Sequence, residues 1–183
     1  FNGCHAADGC GERGCLEGGI RSVDTCLLSS GIWMRASSLV RPASADDLAS
    51  IGELLVQDAA ERAAHDRSLW PTTADAAQRI AQALGDEVAG GGSVRWLVAE
   101  AGGVVTAVAR FGLIPCPPIY HLAGGSAFVL LEDTHASASA PADALASLIA
   151  AAEREARAMG GVIFLAGCAP FRRTKLRALE AAG

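Results

Sequence analysis

The sequence predicts an α/β fold with a mixed, mostly antiparallel sheet and one β-α-β crossover, and three observations predict it. Two helical periods precede any long strand. A Gly102-Gly103 pair then joins two alternating segments as a hairpin. Last, the run Ala127-Phe128-Val129-Leu130-Leu131, apolar without alternation, leads through an alanine-rich helix to another short strand. Strand, helix and strand in that order require a parallel crossover, whereas a hairpin requires an antiparallel pair.

Ser38-Leu39-Val40-Arg41 reads as a short first strand. Ser44-Ala45-Asp46-Asp47 follows as a capping box, because a serine oxygen and a carboxylate three residues on can satisfy the free N–H groups of a helix start. Leu48, Ile51, Leu55 and Ala59 recur at helical spacing, which predicts a helix from residue 45 to about 65 with Glu53, Asp58 and Arg62 on its polar face. A second helix is expected from about Thr73 to Val88, carrying Ile80 and Leu84 on one side and broken by Gly90-Gly91-Gly92. Val94, Trp96 and Val98 alternate with Arg95, Leu97 and Ala99 before the turn, and Val104 to Phe111 is the return strand, ended by Pro115, Pro117 and Pro118. The run from Ala127 has the look of a strand buried on both faces and is placed in the centre of the sheet. Leu145, Leu148, Ile149, Ala152 and Ala156 predict a third helix from about Ala142 that Gly160-Gly161 closes. Val162 to Leu165 is the next strand, and a last helix from Pro170 carries Leu176 and Leu179.

Composition limits the functions available. The chain has 183 residues, 51% of them hydrophobic, which is ample for one buried core. A net charge of −5 offers no basic face for phosphate neutralisation, so nucleic acid is not expected as a partner. No apolar run reaches the ~20 residues of a membrane span, and no secretory h-region is found, so a cytoplasmic protein with reduced thiols is expected. Residues 1–33 are rich in Gly and Cys, begin with Phe and show no period, so they are expected to be a non-native or disordered extension before a start at Met34. Cys4, His5, Cys10, Cys15 and Cys26 contain no Cys-x-x-Cys pair, and no metal site is expected. No phosphate-binding glycine loop, dinucleotide fingerprint or Gly-x-Ser-x-Gly elbow is present.

The element order β-α-α-β-β-β-α-β-α and several local patterns resemble the GNAT N-acetyltransferase superfamily over nearly all of residues 38–183. Val40-Arg41-Pro42-Ala43 with Asp46-Asp47-Leu48 is similar to the family's first strand and helix. Trp96-Leu97-Val98-Ala99-Glu100 through Gly103-Val104-Val105 resembles its second and third strands. Val129-Leu130-Leu131-Glu132-Asp133 resembles the fourth, and Leu179-Glu180-Ala181-Ala182-Gly183 the helix end before the final strands. The resemblance implies a GNAT-like three-layer α/β/α domain over 34–183, truncated at its C-terminal end. It further implies transfer of acetyl from acetyl-CoA to an amine of a small molecule by direct attack. A catalytically inactive domain of the same fold that binds a ligand or partner is the alternative, and an unrelated α/β interaction module is the third reading. Oligomeric state stays open, a homodimer among the options.

The same resemblance assigns candidate residues. It places the acetyl-CoA pyrophosphate at the start of the third helix, near Ala140, Pro141, Ala142, Asp143 and Ala144, where free backbone N–H groups form an anion site. The family's Arg/Gln-x-x-Gly-x-Gly/Ala loop is absent: Ser137 to Ala146 contains neither a cation nor a glycine. A missing charged donor costs roughly 1.5–3 kcal/mol, so binding is expected to be weaker. Backbone amides between Leu131 and Thr134 are expected to meet the thioester oxygen and the pantetheine arm. Glu132, Asp133 and His135 are the acid–base candidates. Asp133 and His135 share strand parity, so if the strand continues to His135 they stand side by side as carboxylate and imidazole. The family's leaving-group Tyr position holds Leu179, and the lone Tyr120 sits on a loop edge.

Overall fold

A computed structural model describes residues 38–89, 92–114 and 125–182. The expectations for residues 1–33 and for the Pro115 to Tyr120 loop lie outside the described residues. The elements are β1 (Leu39–Pro42), a 3-10 turn (Ala45–Asp47), α1 (Leu48–His65), α2 (Ala76–Ala89), β2 (Val94–Ala101), β3 (Val104–Ile114), β4 (Ser126–Leu130), β5 (His135–Ala136), α3 (Ala144–Ala158), β6 (Gly161–Ala166) and α4 (Arg173–Ala182). Every expected element is present, and β5 is additional.

The sheet runs β1-β2-β3-β4-β6, antiparallel except for the parallel β4–β6 pair, with β5 also pairing β3. The β2–β3 hairpin turns on Gly102 (φ 59°) and Gly103 (φ 81°), a backbone that side-chain-bearing residues rarely adopt. Its strands alternate on either side of a register shift between Ala99 and Glu100. Leu97, Ala99, Ala107, Ala109 and Phe111 join the core under α3, whereas Trp96, Val98 and Val108 join the core under α1 and α2 with Ile51, Leu54, Leu55 and Leu84. Two cores on opposite faces of one sheet make the three layers, and α4 packs beside α3 through Ala178 and Leu179.

One interruption in the sheet positions the candidate site. β4 pairs with the far half of β3 (Phe111 with Leu130) and β5 with the near half (Val108 with His135), so a single strand path along β3 is interrupted between them. Leu131 still donates its N–H to Arg110 C=O (2.7 Å), but Glu132 and Asp133 then form a turn, and Thr134 N–H closes back on Leu131 C=O (3.3 Å). Two extra residues on one strand leave their amides without an acceptor among the described residues, as in a β-bulge. No helix among the described residues is long and apolar enough to cross a membrane.

Candidate functional site

The interruption sits above a cluster that no sequence spacing links. Asp58, on the inward side of α1, is 3% exposed and accepts Arg62 Nε on one oxygen (2.7 Å). Its other oxygen meets the Arg172 guanidinium and lies 3.3 Å from His135 Nδ1. Burial pushes the Asp58 carboxyl up, but the His135 hydrogen bond and the charges of Arg172 and Arg62 outweigh it and hold the pKa below the ordinary carboxylate value. Arg172 also reaches His135 Nδ1 (3.2 Å) and Thr134 C=O (3.4 Å). His135 Nε2 is buried without a partner among the described residues. A proton on Nδ1 makes Nε2 an acceptor, whereas a lone pair on Nδ1 makes it a donor.

Lys175, 1% exposed, donates to Leu131 C=O (3.3 Å) and lies 3.9 Å from Glu132 Oε2. Burial pulls its pKa below the usual lysine range, against the pull of the Glu132 carboxylate. Arg62 donates to Glu132 C=O and stands 3.7 Å from its carboxylate, so Glu132 Oε2 sits between two cations with no hydrogen bond of its own.

On one side of this cluster a cleft of about 470 Å³ opens between the start of α3 and the start of α4, lined by His135, Ala140, Pro141, Ala142, Arg173 and Lys175 among others. Ala144 N–H bonds Pro141 C=O (3.0 Å) and Ser147 N–H bonds Asp143 C=O (2.9 Å). Among the described residues the N–H groups of Ala142 and Asp143 have no acceptor. Arg172 and Lys175 are committed to the protein, but the Arg173 side chain has no partner among the described residues. This wall thus combines free helix-start donors with one uncommitted cation. On the other side a cavity of about 320 Å³ lies between α1, α2 and the sheet, with Trp70, Trp96, Glu87, Arg110 and Asp133 in its lining.

The expected residues are distributed between these places. Asp133 and His135 do not stand together: the turn at 132–133 ends the strand, so the parity argument fails, and Asp133 pairs with Arg110 (2.8 Å) in the second cavity while His135 lines the first. The carboxylate beside His135 is Asp58. Leu131 and Thr134 have their amides occupied within the protein, so among the described residues the open amides of the 131–134 stretch are those of Glu132 and Asp133. Ala140, Pro141 and Ala142 line the first cleft, but Leu131, Thr134, Asp143 and Ala144 are not in its lining, and Ala144 is fully buried. Sequence reasoning missed Asp58, Arg172, Arg173 and Lys175. The i,i+4 pair of Asp58 with Arg62 was a signal of a fixed ion pair, though not of a site.

No protein-family model matches this sequence, and no curated protein matches it. Solved structures match its fold. A predicted acetyltransferase from Clostridium acetobutylicum, determined with acetyl-CoA, aligns with a TM-score of 0.58 at 14% identity, covering 77% of this chain and 88% of that one. AAC(6')-Iy in complex with the bisubstrate analogue CoA-S-monomethyl-acetylneamine aligns with a TM-score of 0.58 at 17% identity, covering 80% and 90%. A transcriptional regulator from Bacillus halodurans C-125 aligns with a TM-score of 0.63 at 17% identity, covering 80% and 92%. At such identities the likeness speaks for architecture, and function has to be argued from the site. In element order, sheet topology and match to these structures, the chain has the fold of the GNAT N-acetyltransferase superfamily.

Proposed function

We propose that this protein transfers acetyl from acetyl-CoA to an amine of a small molecule by direct attack. The observation that carries the reading is the first cleft, which is lined by both Ala142 and Arg173, beside a helix start whose Ala142 and Asp143 N–H groups have no acceptor among the described residues. Free amides at the positive end of a helix, with a guanidinium across from them, suit a diphosphate. Arg173 thereby replaces the cation that the 137–146 loop lacks. Ala140, Pro141, Ala142, Asp143 and Ala144 form the helix start that the diphosphate caps, and the pantetheine arm runs along the strand edge from Leu131 to Thr134. The fold neighbours include proteins determined with acetyl-CoA and with a CoA bisubstrate analogue, which supports the same cofactor here.

The chemistry follows from the interruption. The ammonium of the acceptor loses one proton through water to Asp133 or Glu132, and the freed lone pair attacks the thioester carbon. The carbonyl oxygen gains negative charge and meets the open amides of Glu132 and Asp133. A C–N bond forms and the C–S bond breaks. The second amine proton passes to the departing thiolate, for which His135 Nε2 serves as relay when it carries the proton.

The test is a thermal shift with acetyl-CoA on the full chain, followed by assay of free thiol with amine added. Ligand at ~100 times its dissociation constant adds about 2.7 kcal/mol, several degrees for a domain this size. Removing the 3′,5′-ADP moiety from the ligand should abolish most of that shift. Absence of any shift at millimolar acetyl-CoA would refute the proposal. The alternative, an inactive ligand-binding domain, is favoured by a specific observation: Arg172 and Lys175 reach across to Thr134 C=O and Leu131 C=O, filling part of the gap beyond β4. A shift without thiol release for any amine would support that reading instead.

A further inference from the structure

The second cavity carries a charge pattern that selects among amines. Trp70, Pro71, Ile80, Leu84 and Trp96 give it an apolar wall around about 320 Å³. Its charged lining sets three carboxylates, Asp58, Glu87 and Asp133, against two guanidinium groups, Arg62 and Arg110. Both guanidinium groups are already held. Arg62 binds Asp58 (2.7 Å) and the Glu132 carbonyl. Arg110 binds both oxygens of Glu87 and one of Asp133 (2.8 Å), and lies over the Trp96 ring (5.4 Å). Glu87 further accepts Trp96 Nε1–H (2.9 Å), and Asp58 is enclosed by Arg62, Arg172 and His135. Among the described residues Asp133 Oδ1 has no partner, and the Asp133 side chain is 40% exposed. Among the described lining residues the cavity therefore offers one free anionic acceptor, the Thr72 hydroxyl, no free cation and an otherwise apolar surface.

We infer that this cavity takes a small monoamine with a compact apolar or aromatic body and no carboxylate or phosphate, its ammonium seated on Asp133 Oδ1. An anionic group entering here would meet guanidiniums that are already neutralised, and would lose its hydration without a partner. A polyamine would find no second free carboxylate among the described lining residues to seat its additional charges. One ammonium and one apolar body match one open oxygen and one apolar wall. That the amine is then acetylated rests on the acetyl-CoA reading; that it binds does not.

Ligand-observed NMR titration of the full chain without cofactor tests this with three probes: phenethylamine, phenylalanine, which adds a carboxylate, and spermidine, which multiplies the charge. Phenethylamine is expected to bind at least about tenfold more tightly than either of the others. Asp133→Asn should weaken phenethylamine by about tenfold. Trp70→Ala should weaken it several-fold, with circular dichroism melting confirming that both variants fold. Phenylalanine binding as tightly as phenethylamine, or Asp133→Asn binding it as well as the parent, overturns the inference. The two readings fail separately: phenethylamine binding with no acetyl-CoA melting shift removes the transferase and leaves the cavity assignment, and a melting shift with no phenethylamine binding does the reverse.

Discussion

The chain starts two long helices in opposite ways. Before α1, Asp47 is 5% exposed and accepts the Ser44 N–H and hydroxyl (2.8 Å each), and Arg41 grips both its oxygens (2.7 and 2.8 Å). Helix start, carboxylate and cation are all supplied by the protein within seven residues. Before α3 there is no side-chain cap, Asp143 lies exposed, the amides of Ala142 and Asp143 have no acceptor among the described residues, and Ala142 and Arg173 line one cleft. A helix start closed by its own residues has no donors left for a ligand, and one left open beside an uncommitted cation is what the proposed diphosphate site needs. The contrast also explains how the missing glycine loop need not abolish the site: donors come from the helix, and the cation from another element.

Removing the closed start's carboxylate is the largest way to sharpen this contrast. Asp47→Ala loses the cap, about 1 kcal/mol, and leaves Arg41 without its main partner. Because the Arg41 side chain is a third exposed, water screens the rest, and the expected total is about 2–3 kcal/mol by chemical denaturation. Acetyl-CoA affinity of the folded protein should not change. The Arg41 guanidinium holds the Asp47 carboxyl far below the usual carboxylate range, despite the opposing pull of burial. A depressed pKa contributes stability that is fully present above the unfolded value near 3.9 and lost as pH falls through the folded value. Parent stability should thus drop more steeply below about pH 4 than that of Asp47→Ala, and equal slopes would remove Asp47 from the account.

The first start was legible in the sequence and the second only in outline, for a physical reason. Ser44 and Asp47 act three residues apart, and strand parity over residues 94–99 and 107–111 fixes which side chains reach which core, so spacing encodes both. The open start also depends on partners that spacing does not encode. Asp58, His135 and Arg172 meet because α1, β5 and the start of α4 converge, and nothing local to any of them marks the other two. The turn at Glu132-Asp133 carries no Gly or Pro, so an alternating reading runs straight through it and sets Asp133 beside His135 in error. Glu132, Asp133 and His135 were legible as acid–base candidates by residue type, while the cavity that each faces was not.

A middle-sized effect is expected from the far wall of the cleft. Arg173→Ala deletes an exposed side chain with no partner among the described residues, so stability should move by no more than about 0.5 kcal/mol. A charge-assisted hydrogen bond to phosphate is worth roughly 1.5–3 kcal/mol, so the acetyl-CoA dissociation constant should rise by about one to two decades in calorimetry. The salt dependence of binding should flatten at the same time. Unchanged affinity would mean that the helix start acts without Arg173, and the proposed replacement for the loop cation would fall.

The smallest effect is the most diagnostic, because its two parts have opposite signs. Asp143 stands at the start of α3 and among the described residues makes one long contact, accepting the Ser38 hydroxyl at 3.5 Å. A carboxylate there favours the helix dipole by about 0.3–1 kcal/mol, so Asp143→Ala should lower stability by no more than that amount. The same charge repels a diphosphate at the same helix end. Its removal should therefore tighten acetyl-CoA by a similar energy, roughly two- to fivefold, and the gain should shrink in high salt. A fold that weakens while its cofactor binds better is what an open anion site requires, whereas affinity falling with stability would place the phosphate elsewhere.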